Sequence, residues 1–190
     1  MDKVLYKAIE DKNKTQINSM LQGGIDINAG SYLNSAALKK NREIFQYLLD
    51  MGGDINRVHE GPSLSHEGKT DVGGKTPLCL MVANFLSSKK GFETVQGSDE
   101  WVEFLLDRGA DANKVCYGKY TPLMMVAGKG ADQEGLSEWG RLEIAMKIIV
   151  LLVKNGAELN ASVDGATAMD FAKRHNNLDL VMFLKSLGAS

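Results

Sequence analysis

Residues 105–113, LLDRGADAN, show the pattern that decides the fold of this 190-residue chain. An apolar pair is followed by a short polar spacer, a Gly, and an Asn four residues after that Gly. The same order recurs in MLQGGIDIN at 20–28, LLDMGGDIN at 48–56 and LVKNGAELN at 152–160, and LKSLGAS at 184–190 is a shortened copy. Self-similarity of this kind is typical of repeat proteins. The Gly after each apolar run predicts a left-handed residue that ends a helix.

A second motif predicts where helices begin. It reads GKTPL at 74–78, YTPL at 120–123 and, in degraded form, GATAM at 165–169. Thr76 and Thr121 are predicted N-caps, each followed by a Pro at the first helical position, where the missing proline N–H costs nothing. Between this start and the terminating Gly there is room for two short helices. Helices of about ten residues are not stable alone, so each pair must pack against its neighbours.

These motifs together resemble the ankyrin repeat family: TPL at the head of a first helix, an apolar second helix, and Gly-Ala-Asp-x-Asn at the exit. The resemblance covers nearly the whole chain. It implies an all-α fold, an ankyrin-repeat solenoid of stacked helix–turn–helix units with β-hairpin or loop fingers, in one cooperative domain over 1–190. The five units are expected at about 2–29, 30–57, 73–113, 118–160 and 164–190, with a long finger at 57–72.

Three segments break the period of the repeat: the finger at 57–72, FLSSKKGFETVQGSDE at 85–100 and GKGADQEGLSEWGR at 128–141. The last two lengthen the turn between the helices of adjacent units, so they are expected side by side, on the edge opposite the fingers. Insertions of this kind often map to a binding face. Long surface loops are also tolerated without any function, and both interpretations stay open. A slight excess of acidic residues favours a neutral or basic partner there.

Composition argues against several classes of protein. The net charge of −2 and the pI of about 5.9 do not favour a nucleic-acid or anionic-membrane partner. No apolar run approaches the roughly 20 residues that span a bilayer, and the N-terminus has no apolar signal stretch. We therefore expect an intracellular, cytoplasmic monomer without a nucleic-acid or membrane partner.

The histidines do not form a catalytic or metal-binding pattern. His59 and His66 share a Gly- and Ser-rich loop, and their spacing matches no zinc motif. His175 falls at a predicted turn between helices. The segment GGKT at 73–76 lacks the earlier Gly of a phosphate-binding loop. We predict no catalytic residue, no metal and no cofactor.

Two cysteines are too few for a disulfide framework. Cys79 follows TPL, where the family usually has a His, and is predicted to be a small buried residue of a helix. Cys116 lies in a predicted finger, where we expect it to be partly exposed and sensitive to oxidation.

What the resemblance implies is a surface for protein recognition. Partners of the family usually meet the fingertips and the exposed residues of the first helices. Transferred by position, these are Tyr32, Lys39, Asn84, Tyr117, Lys119, Tyr120, Lys129 and Arg174. Tyr117 with Tyr120 is the best cluster, because Tyr is enriched at binding hot spots; for each Tyr the alternative is packing under a neighbouring finger. Phe92 and Trp139 are predicted as further contacts at the insertion edge, whereas Trp101 is assigned to the core.

The resulting hypothesis is a non-catalytic module that binds a protein partner through its concave face, its fingers and its inter-helix insertions. One alternative is an inhibitory or immunity-like regulator of one specific enzyme. Another is an enzyme or small-ligand binder that uses a pocket at the insertion edge. Repeat architecture alone does not decide among these functions.

Overall fold

The computed structural model of the chain describes residues 2–58, 74–87, 97–129 and 138–190. Within these ranges the chain forms ten helices and, besides them, isolated β-bridges. The predicted all-α fold class is confirmed. The helices are α1 (Asp2–Glu10), α2 (Lys14–Gln22), α3 (Tyr32–Leu38), α4 (Arg42–Asp50), α5 (Pro77–Ser87), α6 (Ser98–Leu106), α7 (Pro122–Lys129), α8 (Glu138–Lys154), α9 (Ala168–Arg174) and α10 (Leu178–Ser186).

The chain divides into two compact units, Met1–Leu80 and Met81–Ser190, here called unit 1 and unit 2. In unit 1, α1 packs against α2 and α3, and α3 packs against α4. In unit 2, α6 packs against α8, α7 packs against α8 and α9, and α10 packs against α8 and α9. Four predicted helix pairs, α1–α2, α3–α4, α7–α8 and α9–α10, therefore pack together, as the repeat predicts. The assignment of 1–190 to one domain stays a prediction.

The TPL motifs begin helices as predicted. The hydroxyl oxygens of Thr76 and Thr121 accept hydrogen bonds from the backbone N–H three residues on, at 3.2 and 3.3 Å. α5 begins at Pro77 and α7 at Pro122. Both threonines are buried, so these bonds satisfy helix-end donors that water cannot reach.

An asparagine cap, which the sequence analysis did not anticipate, begins the second helix of three pairs. The side-chain oxygens of Asn13, Asn41 and Asn177 accept hydrogen bonds from the N–H three residues on, at 3.0, 3.2 and 3.0 Å. The residue before each Asn is in the left-handed region, with φ between 50° and 58°. Recurrence of one local geometry at matching positions is what a structural repeat requires.

Glycines end the second helices, also as predicted. Gly52, Gly109, Gly156 and Gly188 have φ between 84° and 98°, a conformation that side chains rarely adopt. The N–H of the following residue donates to the carbonyl five residues back, at 2.9 to 3.1 Å. This is the Schellman arrangement, which satisfies the last carbonyls of the helix.

The Asn that closes the exit motif bridges one repeat to the next. In unit 1, the Asn28 side-chain nitrogen donates to the Gly52 carbonyl at 3.0 Å, and its oxygen accepts from the Asp54 N–H at 2.8 Å. In unit 2, Asn113 makes the same two bonds, each 2.8 Å long, to residues 156 and 158. One side chain thus satisfies both a donor and an acceptor in the loop of the following repeat.

Replacing this bridge should cost stability. We expect Asn113→Ala to lower the free energy of unfolding by about 1–2 kcal/mol, because two backbone groups lose their partner. Asn155→Ala is the matched control: Asn155 directly follows α8, and its side-chain amide donates at 2.8 Å to the Leu151 carbonyl of that helix, a bond within one repeat. Urea unfolding followed by circular dichroism measures both variants. An Asn113→Ala loss no larger than that of the control would contradict the role of the bridge.

Candidate functional site

The finger between α6 and α7 is a tight turn that ends in a β-bridge. The N–H of Cys116 donates to the Tyr120 carbonyl at 2.8 Å, and the N–H of Lys119 donates back to the Cys116 carbonyl at 3.1 Å. The two residues at the tip, Tyr117 and Gly118, have φ of 55° and 62°. Two consecutive left-handed residues are the signature of the hairpin turn whose twist matches that of the flanking chain.

Tyr117 is an unusual residue for this conformation. Such turns favour Asn, Asp or Gly, and the finger before α9 follows the rule with Asp164 and Gly165, at φ of 51° and 76°. A Tyr in the left-handed region costs free energy that an Asn would largely avoid. The turn itself therefore does not account for the Tyr, whose side chain is 39% exposed at the tip.

Tyr120 connects this finger to α9. Its half-buried ring packs edge-on against the ring of Phe171, with centroids 5.4 Å apart and an angle of 74° between the planes. The guanidinium carbon of Arg174, one turn further along α9, is 5.5 Å from the centroid of the same Phe171 ring. Both distances are within the range of favourable aromatic and cation–π contacts. We call Tyr117, Lys119, Tyr120, Phe171 and Arg174 the aromatic–cationic surface.

Gly128 explains why Phe171 can lie where it does. A Cβ atom at Gly128 of α7 would be 3.3 Å from Cδ1 of Phe171, tighter than almost all real contacts of that kind. The glycine was predicted to belong to the period-breaking segment 128–141, and the structure corrects this: Gly128 is inside α7 and buried. Phe171 was not among the residues predicted from the sequence. The only sequence signal for this residue was an aromatic side chain on a first helix, together with a glycine, Gly128, on the first helix of the preceding repeat.

The start of α9 is fixed by a capping box. The Thr167 hydroxyl accepts from the Asp170 N–H at 3.3 Å, and Asp170 Oδ2 accepts from the Thr167 N–H at 2.9 Å and from its hydroxyl at 2.8 Å. These bonds, the backbone N–H first, lower the pKa of the Asp170 carboxyl. The helix that presents Phe171 and Arg174 is therefore anchored at its first turn.

Tyr32 was predicted to be a binding residue, and the expected exposure is wrong. Its side chain is fully buried in unit 1, with its ring centroid 4.9 Å from that of Tyr6. Gly30 makes this possible, because a Cβ there would lie 2.4 Å from the Tyr32 ring. Lys39, in the same unit, is exposed, and its ammonium is 3.3 Å from a Glu10 carboxylate oxygen.

The remaining predicted residues have different outcomes. Tyr117, Lys119 and Arg174 are exposed. Phe92 lies outside the described residues, and so do His59 and His66. Asn84, Lys129 and Trp139 are in α5, α7 and α8, and their side chains also lie outside what the structure describes. Glu138–Arg141, predicted as part of a long turn, belong to α8. Trp101 is buried, as predicted.

The two cysteines are both fully buried, and neither is a free thiol. The burial of Cys79 is confirmed, whereas the partial exposure expected of Cys116 is wrong. Over residues 2–58, 74–87, 97–129 and 138–190 no group of three or more His, Cys, Asp and Glu side chains is arranged to hold a metal ion. In the same ranges, every helix is too short or too polar to cross a membrane.

Comparison with known proteins gives one informative similarity. The chain is 32% identical over 105 residues to a protein of Acanthamoeba polyphaga mimivirus that is named an ankyrin repeat protein. The match covers 50% of this chain and 33% of the relative, so the chain spans only about a third of that relative's length. No protein-family model matches the sequence.

The capping box gives α9 a dependence on pH. Because the pKa of Asp170 is lowered in the folded chain, its contribution to stability is present above the unfolded value, near 3.9, and is lost as the pH falls through the folded value. We expect Asp170→Asn to melt below the wild type at pH 7. The gap should narrow as the pH falls below the unfolded value and through the lowered folded value, because the wild-type carboxyl then becomes protonated as well.

Thermal melts from pH 7 to pH 2.5 measure this gap, with Asp164→Asn as control. Asp164 is an exposed carboxylate of the adjacent finger and is not part of the capping box. A gap between wild type and Asp170→Asn that stays constant over this range would show that the carboxylate charge has no role.

Proposed function

We propose that this chain is a non-catalytic repeat protein of the ankyrin type, which binds a protein partner through the aromatic–cationic surface of unit 2. The observation that carries the proposal is Tyr117, an exposed tyrosine held in a backbone conformation that favours other residues, on the same finger as Tyr120. Rare conformations of this kind cluster at functional sites.

The composition of the surface supports protein binding. Tyr and Arg are enriched at the centres of protein interfaces, where large side chains with few rotatable bonds bury area at low entropic cost. The ring contacts hold Tyr120 and Phe171 in place before any partner arrives. A preorganised surface loses little conformational entropy on binding.

The charges indicate the chemistry of the partner. Lys119 and Arg174 are both exposed at this surface, and Arg174 lies over an aromatic ring. The partner surface that complements these two cations has carboxylates beside apolar or aromatic side chains. Opposite charges on two proteins steer their association and fix the orientation in which they dock. We propose that the chain engages this partner as a monomer.

Affinity capture from a lysate of the native cells, with the full chain as bait, tests the proposal. We expect a protein retained by the wild type to be reduced about tenfold or more by Tyr117→Asn with Arg174→Ala. Asn is chosen because it tolerates the left-handed conformation, so Tyr117→Asn by itself should leave the thermal stability equal or higher.

The matched control is Tyr47→Ala with Lys14→Ala. It also removes a tyrosine and a cation 5.4 Å from its ring, but from second helices of unit 1. Loss of the same protein with both pairs of substitutions would mean that the effect is not specific to the surface. If deletion of 88–96 or 131–137, which leaves α6 and α8 intact, abolishes capture while the Tyr117 and Arg174 variant does not, the insertion edge binds the partner and the proposal is wrong.

A further inference from the structure

The second helices of unit 2 expose apolar side chains that are not part of the aromatic–cationic surface. On α8, Leu142, Met146 and Val150 are spaced four residues apart and form a stripe along one face. On α10, Leu178 and Met182 have the same spacing and are 67% and 70% exposed. Contiguous exposed apolar surface on a folded protein marks interaction sites.

Two grooves follow α8, one on each side. Between α8 and α10 the lining residues are Leu142, Glu143, Met146, Asp179, Met182 and Phe183. The second groove lies between α6 and α8. Met146 and Val150 are among the α8 residues that line it, and α6 contributes three carboxylates. Met146 and Glu143 line both grooves, so the two form one surface with α8 as its central ridge. We call it the α8 surface.

The border of the α8 surface is acidic. Among its described lining residues there are five carboxylates: Asp99, Glu100, Glu103, Glu143 and Asp179. Lys147 is the one cation in the same set, and its ammonium is 2.9 Å from a Glu143 carboxylate oxygen. The charge of this surface is therefore strongly negative, although the net charge of the whole chain is only −2.

We infer that the α8 surface binds a basic amphipathic helix of a partner protein, with leucine-type side chains in the grooves and lysines or arginines against the carboxylates. The stripe from Leu142 to Val150 is about 12 Å long at 1.5 Å per residue, which matches the span of anchors at i, i+4 and i+8 on a facing helix. The flexible side chains of Met146 and Met182 suit them to accommodate such anchors.

The test uses a synthetic 18-residue peptide of Leu and Lys, patterned as an amphipathic helix and labelled with fluorescein. Anisotropy titrations with the full chain measure its binding. We expect Met182→Glu, and separately Glu103→Lys with Glu143→Lys, to weaken binding about tenfold or more. Val4→Glu is the matched control: Val4 is a 49% exposed apolar residue of α1, and its change should leave the affinity within about twofold.

Two further peptides separate this inference from simpler explanations. A scrambled peptide of the same composition keeps the charge but loses the apolar face, and a peptide with Glu in place of Lys keeps the face but reverses the charge. Both should bind about tenfold more weakly or not at all. Equal binding by either, or no detectable binding of the patterned peptide, would overturn the inference.

Failure of this inference can be distinguished from failure of the proposed function. Tyr117→Asn with Arg174→Ala should bind the patterned peptide as the wild type does. If that variant loses the peptide and Met182→Glu does not, the peptide binds the aromatic–cationic surface and the inference is wrong. Sedimentation velocity provides a last check: a wild-type dimer that Met182→Glu dissociates would mean that a second copy of the chain covers the α8 surface.

Discussion

At two repeat boundaries, one in each unit, an asparagine side chain spans the loops of consecutive repeats. In unit 1 Asn28, and in unit 2 Asn113, holds the carbonyl of the glycine that ends the next second helix and the N–H two residues beyond it. Each helix pair is too short to be stable alone. The asparagine fixes the register in which one pair packs on the next, so the apolar faces meet in one alignment.

The alignment of one helix pair on the next determines the position of the finger residues. The Asn113 bridge fixes the loop before the finger that bears Tyr117, and the capping box of Thr167 fixes the start of the helix that bears Phe171. Tyr120 of this finger packs against Phe171 of that helix. A left-handed Tyr costs free energy, which the packing of the anchored elements on either side of the finger must offset.

The local features of the fold could be predicted, because backbone geometry at a Gly, a Pro or an N-cap Thr depends on a few neighbouring residues. The burial of Tyr32 could not, since it depends on Tyr6 and on a missing Cβ at Gly30. Phe171 was missed for the same kind of reason: its place is set by Gly128 on another helix. The sequence predicted Tyr117 and Tyr120 as candidate binding residues, but the left-handed turn of one and the ring contact of the other required the structure.

We propose above that the finger bearing Tyr117, held in place by the packed repeats, contacts a partner protein. The most direct test of this proposal places a photoreactive benzoylphenylalanine at position 117 of the full chain and irradiates a native lysate. We expect one discrete cross-linked protein from position 117 and none from position 47, a half-buried tyrosine of α4. Cross-linking from position 47 alone, or none from position 117 above background, would contradict the proposal.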